Sequence, residues 1–159
     1  MSTDTKRRLF LKGTLASGVV ALAAGAGLIN PRQVLAAWPK SAFEAKSVSE
    51  AMKGIAGTDT AAGNDKITIK APDIAENGAV VPVKVDATKI SGVDSIAIIA
   101  EKNPTPLIAN FKMGKSTHAF VSTRIKMGKT SNVIAVVSAG GSVSTARKEV
   151  KVTIGGCGG

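Results

Sequence analysis

The sequence predicts a mainly β protein, an antiparallel β-sandwich of about 90 residues preceded by a short helical segment and followed by a flexible glycine-rich arm. Three observations carry this. Aromatic content is only 3%, with four Phe, one Trp and no Tyr, so Val, Ile, Ala and Leu must build the core. From Asp65 onward, short β-branched runs alternate with Gly, Pro, Asn and Asp, the pattern of strands joined by tight turns. Helical patterns between those runs, which a parallel α/β sheet needs, are missing.

The chain begins with Arg7-Arg8-Leu9-Phe10-Leu11-Lys12, followed by an apolar, Gly/Ala-rich stretch from Gly13 to Ile29. This pattern is that of a twin-arginine export signal, with cleavage expected near Ala36 and the periplasm as destination. Gly13, Gly18, Gly25 and Gly27 dilute the stretch below the ~20 strongly apolar residues of a membrane span, so no membrane association is expected after cleavage. The twin-arginine route carries folded proteins. With no cofactor motif in view, a partner subunit exported together with this chain is the expected reason for using it.

Residues 37–63 form a helical or extended segment. Phe43, Val48, Ala51, Met52 and Ile55 fall at roughly helical spacing, and Gly54 and Gly57 are expected to close the helix. Residues 64–154 form the sandwich, with seven candidate strands at 67–70, 80–86, 95–101, 107–112, 119–126, 132–139 and 142–154. The last is long enough to bend or to be two pieces. Turn chemistry separates them: Asn77-Gly78, Ser91-Gly92, Asn103-Pro104, Met113-Gly114, Met127-Gly128 and Gly140-Gly141. Val81, Val83 and Val85 mark an inward face, while Pro82, opposite them, fits only an edge or a bulge. Seven strands suit an Ig-like topology. With a single Cys no intersheet disulfide is possible, and stability rests on burial.

Net charge is +10 for the whole chain; Lys6, Arg7, Arg8, Lys12 and Arg32 against Asp4 in the first 36 residues account for four charges, leaving +6. Such a surface steers anionic partners. The basic residues are scattered and not interleaved with aromatics, which argues against nucleic acid. One His and one Cys exclude Zn, Cu or c-type haem sites, which need several ligands at short spacing.

The one cysteine sits in the closing run Gly155-Gly156-Cys157-Gly158-Gly159. Glycine on both sides makes ordering this run costly, so Gly155, Gly156, Gly158 and Gly159 read as a flexible, slender arm around a thiol. An extended chain spans ~3.3–3.6 Å per residue, so Cys157 reaches ~10 Å beyond Ile154, enough to enter a narrow cleft. Lys148 and Lys151 favour the thiolate and the terminal carboxylate opposes it. His118, at the start of a strand, reads as a partly exposed strand or interface residue rather than a catalytic base. Catalysis by this chain is therefore not expected. Cys157 reads as a covalent attachment point, with two alternatives open: a thiol-disulfide or redox-sensing protein, and an Ig-like structural module dimerised through its tail.

The twin-arginine signal, small β-domain and terminal Gly-Gly-Cys-Gly-Gly together resemble the SoxY family of the periplasmic thiosulfate-oxidising Sox system, over essentially the whole mature chain. Residues 69–83 and Ser122-Thr123-Arg124-Ile125-Lys126-Met127 are similar to internal segments of that family. The resemblance implies an Ig-like, cofactor-free subunit that pairs with a SoxZ-like β-sandwich partner and holds thiosulfate-derived sulfur on Cys157. It also implies transient docking to a haem protein (SoxAX), a metal-dependent hydrolase (SoxB) and, where present, a molybdenum enzyme (SoxCD). An apolar sheet face or the run 119–127 is the expected partner surface.

Overall fold

The computed structural model describes residues 39–153. The export signal with Arg7 and Arg8, its cleavage site, and the glycine run with Cys157 lie outside the described residues. Two helices, α1 (Lys40–Glu44) and α2 (Val48–Ala56), precede nine strands: β1 (Ala62–Gly63), β2 (Thr68–Lys70), β3 (Ile74–Ala75), β4 (Val81–Asp86), β5 (Val93–Ala100), β6 (Leu107–Lys112), β7 (Phe120–Ile125), β8 (Ser131–Ala139) and β9 (Ser142–Val152). The seven expected strands are β2 and β4 to β9, each end within two residues of the pattern. The long final run is one strand that pairs with β8 from Ser142 to Val150. The two strands that periodicity misses, β1 and β3, are two residues each.

Alternation makes the sandwich. In β4, Val81, Val83 and Val85 are fully buried, and they face Ile96 and Ile98 of β5 and Val133 and Val137 of β8 across one core. The smaller sheet runs β2-β4-β7; the larger runs β1-β9-β8-β5-β6, with β3 also on β9. Fully burying a Val or Ile side chain stabilises by about 1.5–3 kcal/mol, and this core holds the Ig-like fold without a disulfide. β4 is the middle strand of its sheet, yet β2 pairs only with residues 84–86. At Pro82 the β2 side of the strand is therefore open, so its missing N–H does not interrupt a three-strand ladder.

The larger sheet is buried on both faces at its centre. Ala97, Ile99, Ile134 and Val136 point away from the sandwich core and pack with Leu107 against Ala42, Ala45, Ala51 and Met52 of the helical segment. This double burial explains why residues 96–100 read Ile-Ala-Ile-Ile-Ala with no polar face. Of the expected apolar positions, Ala51 and Met52 are buried and Phe43, Val48 and Ile55 pack at the rim of the same cluster.

Local chemistry sets the helix ends. The Ser47 hydroxyl oxygen caps α2 by accepting from Glu50 N at 3.2 Å, and Glu50 Oε2 reaches back to accept from Lys46 N at 3.0 Å, a variant of the capping box. Gly57 ends the helix in the left-handed region at φ 72°, with its N–H donating to the Lys53 carbonyl, as a C-terminal glycine does. Gly54 has a different role from the expected closing one. It lies inside α2, where a Cβ would fall 2.5 Å from the Cβ of Ala42, so glycine lets α1 and α2 touch.

Gly54→Ala is expected to lower stability by about 1–3 kcal/mol, the usual cost of overpacking, despite alanine's better helix propensity. Urea unfolding monitored by circular dichroism checks this; a neutral or stabilising result would show that α1 does not pack on α2 as described.

Candidate functional site: the root of the C-terminal tail

Everything the sequence assigns to Cys157 depends on where β9 delivers the chain. β9 is held along both sides. On one side lies β8; on the other, β1 pairs in parallel with Ser144 and Thr145, and β3 in parallel with Lys151 and Val152. Between these two short strands the open edge carries Arg147, Lys148 and Glu149, charged residues of the kind that discourage edge-to-edge pairing.

At the last turn of the strand the contacts converge. Val152 N donates to Thr130 Oγ1 at 2.9 Å, and the same hydroxyl donates to the Val152 carbonyl at 3.4 Å. Lys151 N donates to the Asp73 carbonyl at 2.9 Å and Thr153 N to the Ala75 carbonyl at 3.2 Å. Lys148 Nζ lies 2.9 Å from the Asp73 carboxylate. The Asn77-Gly78 turn closes the ring. Gly78 O accepts from Met127 N at 2.7 Å, and a Cβ on Gly78 would collide with the Met127 carbonyl and the Val152 side chain. Residues 73–80, 127–130 and 151–153 thus form a collar that fixes the point from which the tail departs. Within it, Ile74, 58% exposed, and Val80, 50% exposed, face solvent.

His118 is at the other end of the molecule. It is exposed, two residues before β7, and lines an open cleft of about 360 Å³ with Thr88, Ile90, Asp94, Met113 and Lys115. That cleft adjoins the β8–β9 turn, where Gly140 N donates to Asp94 Oδ2 at 2.9 Å. From Ser142 to Val152 the strand advances ~33 Å at ~3.3 Å per residue. The four residues from Thr153 to Cys157 span at most ~14 Å. His118 therefore cannot serve the thiol of its own chain. Of the lysines expected to favour a thiolate, Lys148 is paired with Asp73, and Lys151 is exposed on the strand. Among the described residues no three His, Asp or Glu side chains gather into a metal site.

A family model for the sulfur oxidation protein SoxY matches residues 52–157, most of the described fold and the tail through Cys157. The chain belongs to the SoxY family. A solved structure of the sulfur carrier protein SoxY from Chlorobium limicola f thiosulfatophilum is 41% identical, with TM-score 0.62, over 68% of this chain and 97% of that one. A superoxide reductase (neelaredoxin) from Ignicoccus hospitalis is 18% identical over 55% of this chain and 79% of that chain, with TM-score 0.49, too remote to bear on function. No curated protein matches the chain.

The two internal segments by which the sequence resembles SoxY proteins contribute to the collar. Residues 69–83 contain β3 and the Asn77-Gly78 turn, and Met127 ends the other segment. Sequence reasoning read Asn77-Gly78 as a turn and missed its contact with Val152. It missed Thr130 entirely, since a hydroxyl in a turn carries no local sign of a partner 22 residues away.

Thr130→Val removes both hydrogen bonds to Val152 at nearly constant volume. It is expected to cost about 1 kcal/mol, the typical net worth of a lost bond to a half-buried group, and to speed amide hydrogen exchange at Val152 and Thr153 while Thr130→Ser stays close to the parent. Unchanged exchange in the valine variant would mean that β3 alone holds the strand end.

Proposed function

We propose that this SoxY-family chain is a periplasmic, non-enzymatic carrier of thiosulfate oxidation, holding sulfur intermediates covalently on Cys157 and presenting them to partner enzymes. The observation that carries this reading is the family match reaching Cys157 in the Gly-Gly-Cys-Gly-Gly run, after a strand whose end is held by a collar. A fixed root and a slender glycine arm suit a thiol that must enter several clefts in turn. The twin-arginine motif at Arg7 and Arg8 supports the compartment, and export in the folded state supports a SoxZ-like subunit bound before crossing.

The chemistry balances with this chain as the handle only. The Cys157 thiol loses its proton and bonds to the sulfane sulfur of thiosulfate; the two electrons released pass to the SoxAX-type haem protein. A SoxB-type hydrolase then cleaves the sulfane–sulfonate bond with water, sulfate leaves, and a persulfide stays on the arm. A SoxCD-type molybdenum enzyme, where present, oxidises that sulfur further. Each step needs an acid, base, metal or electron acceptor suited to it, which on this reading the partner's cleft provides, since His118 lies beyond the arm's reach. Tethering keeps each intermediate at high effective concentration for the next enzyme.

Intact-mass measurement of the protein from thiosulfate-grown cells is expected to show sulfur or sulfonate adducts that disappear in Cys157→Ser. A mass limited to disulfide dimer or glutathione adduct would overturn the carrier reading in favour of a redox or structural thiol. In a reconstituted system Cys157→Ser is expected to abolish thiosulfate-dependent turnover with subunit pairing intact. Leucine in place of both Gly156 and Gly158 should slow turnover at least tenfold, corresponding to about 1.4 kcal/mol in the barrier; full activity would show that arm width is unimportant.

A further inference from the structure

The outer face of the small sheet combines cations and apolar side chains in a way the fold does not need. Alternation turns Pro82 and Lys84 of β4 outward with Ser122 and Arg124 of β7, and the register sets Pro82 opposite Arg124 and Lys84 opposite Ser122. On the other side of β4, Lys70 stands directly opposite Lys84. Directly opposed like charges on neighbouring strands repel, so this pair works against the sheet. Val80 and Lys126, both exposed, are the next positions beyond the Val81–Ile125 pair, and Phe120, 46% exposed, ends the face opposite Asp86.

Lys84, Arg124 and Lys126 are uncompensated, whereas Lys70 lies close enough to Asp86 to add, after the Thr88 hydrogen bonds, to the lowering of its pKa. Among the described residues, ion pairs join Lys40 to Glu44, Lys53 to Asp59, Arg147 to Glu101 and Lys148 to Asp73, and none involves Lys70, Lys84, Arg124 or Lys126. The one acid in these rows, Asp86, turns Oδ1 to the Thr88 hydroxyl at 2.6 Å and to the Thr88 amide at 3.0 Å. The face also has a position. Its Val80–Lys126 end adjoins the Gly78–Met127 contact of the collar, so whatever lies on it lies beside the point where the tail departs.

We propose that this face, centred on Lys84 and Arg124, is the docking surface for the enzymes that receive the arm, and that it recognises an acidic protein surface with an apolar patch. The inference rests on the carrier reading above. A positive face fits transient docking: it accelerates encounter with an acidic partner and leaves the bound complex able to separate. Val80, Pro82 and Phe120 give that partner apolar contact. A single exposed Phe offers no ladder for stacking bases, which favours protein over nucleic acid.

The test uses the chain paired with its SoxZ-like subunit and carrying Cys157→Ser, so that binding is read without sulfur chemistry. Affinity for the purified SoxAX-type and SoxB-type enzymes is measured by biolayer interferometry at low and physiological salt. Lys84→Glu/Arg124→Glu is expected to weaken binding to at least one enzyme by about tenfold or more and to flatten its salt dependence. Lys112→Glu/Lys115→Glu, an equal charge change at the far end of the sandwich, should stay within about twofold of the parent, the reach of an exposed charge being limited by screening. Equal affinities and salt slopes in the two double variants would overturn the proposal, as would parent complex that binds neither enzyme. Loss of the SoxZ-like subunit from the Lys84/Arg124 variant on size exclusion would assign the face to the permanent partner instead. Parent binding to anionic vesicles or single-stranded DNA but to neither enzyme would assign it to lipid or nucleic acid. Failure of the carrier reading itself appears in the adduct masses, which this binding measurement does not use.

Discussion

The structure depends on how β9 ends. Its eleven residues pair with β8 along one side, and two short strands from distant parts of the sequence, β1 and β3, take the ends of the other. Thr130 and Gly78 then lock Val152 from the remaining directions. Thr153 is the last described residue before the Gly-Gly-Cys-Gly-Gly run, and the proposed carrier role asks that this point be held in place. The sandwich is the means of holding that strand, and the helices, core and collar all serve the same end.

Stability without a disulfide follows from double burial. β5 and β8 are covered by the small sheet on one face and by α1 and α2 on the other. One layer of two short helices, joined by the Gly54–Ala42 contact, thus turns a sheet that is half wet in many antiparallel sandwiches into a three-layer arrangement. With a single Cys in the sequence, no disulfide within the chain takes part in this.

Strand positions were legible because β-branched residues and turn residues alternate at short range: the Val81, Val83, Val85 face and the strand at residues 107–112 are seen directly in the sequence. What lay beyond it depends on separation along the chain. β1 and β3 are two residues each and exist because β9 offers an edge, not because Ala62–Gly63 or Ile74–Ala75 favour extended structure. Gly54 looked like a helix terminator because glycine usually is one; its close neighbour Ala42 belongs to another helix. The thiol reads as a site from the glycines beside it, whereas the collar at the end of β9 is built from side chains and backbone groups more than 20 residues apart and shows no local sign in the sequence.

The ~33 Å between the two ends of β9 also bears on the proposed carrier role. Persulfides and thiosulfonates decompose when a neighbouring base or nucleophile attacks them. His118 and the cleft around it sit beyond the arm's reach, Lys148 is tied to Asp73, and Lys151, nearer the root, is exposed. On the proposed carrier role the chain's single imidazole never meets the cargo, so attack by a histidine on a loaded thiol needs a second molecule.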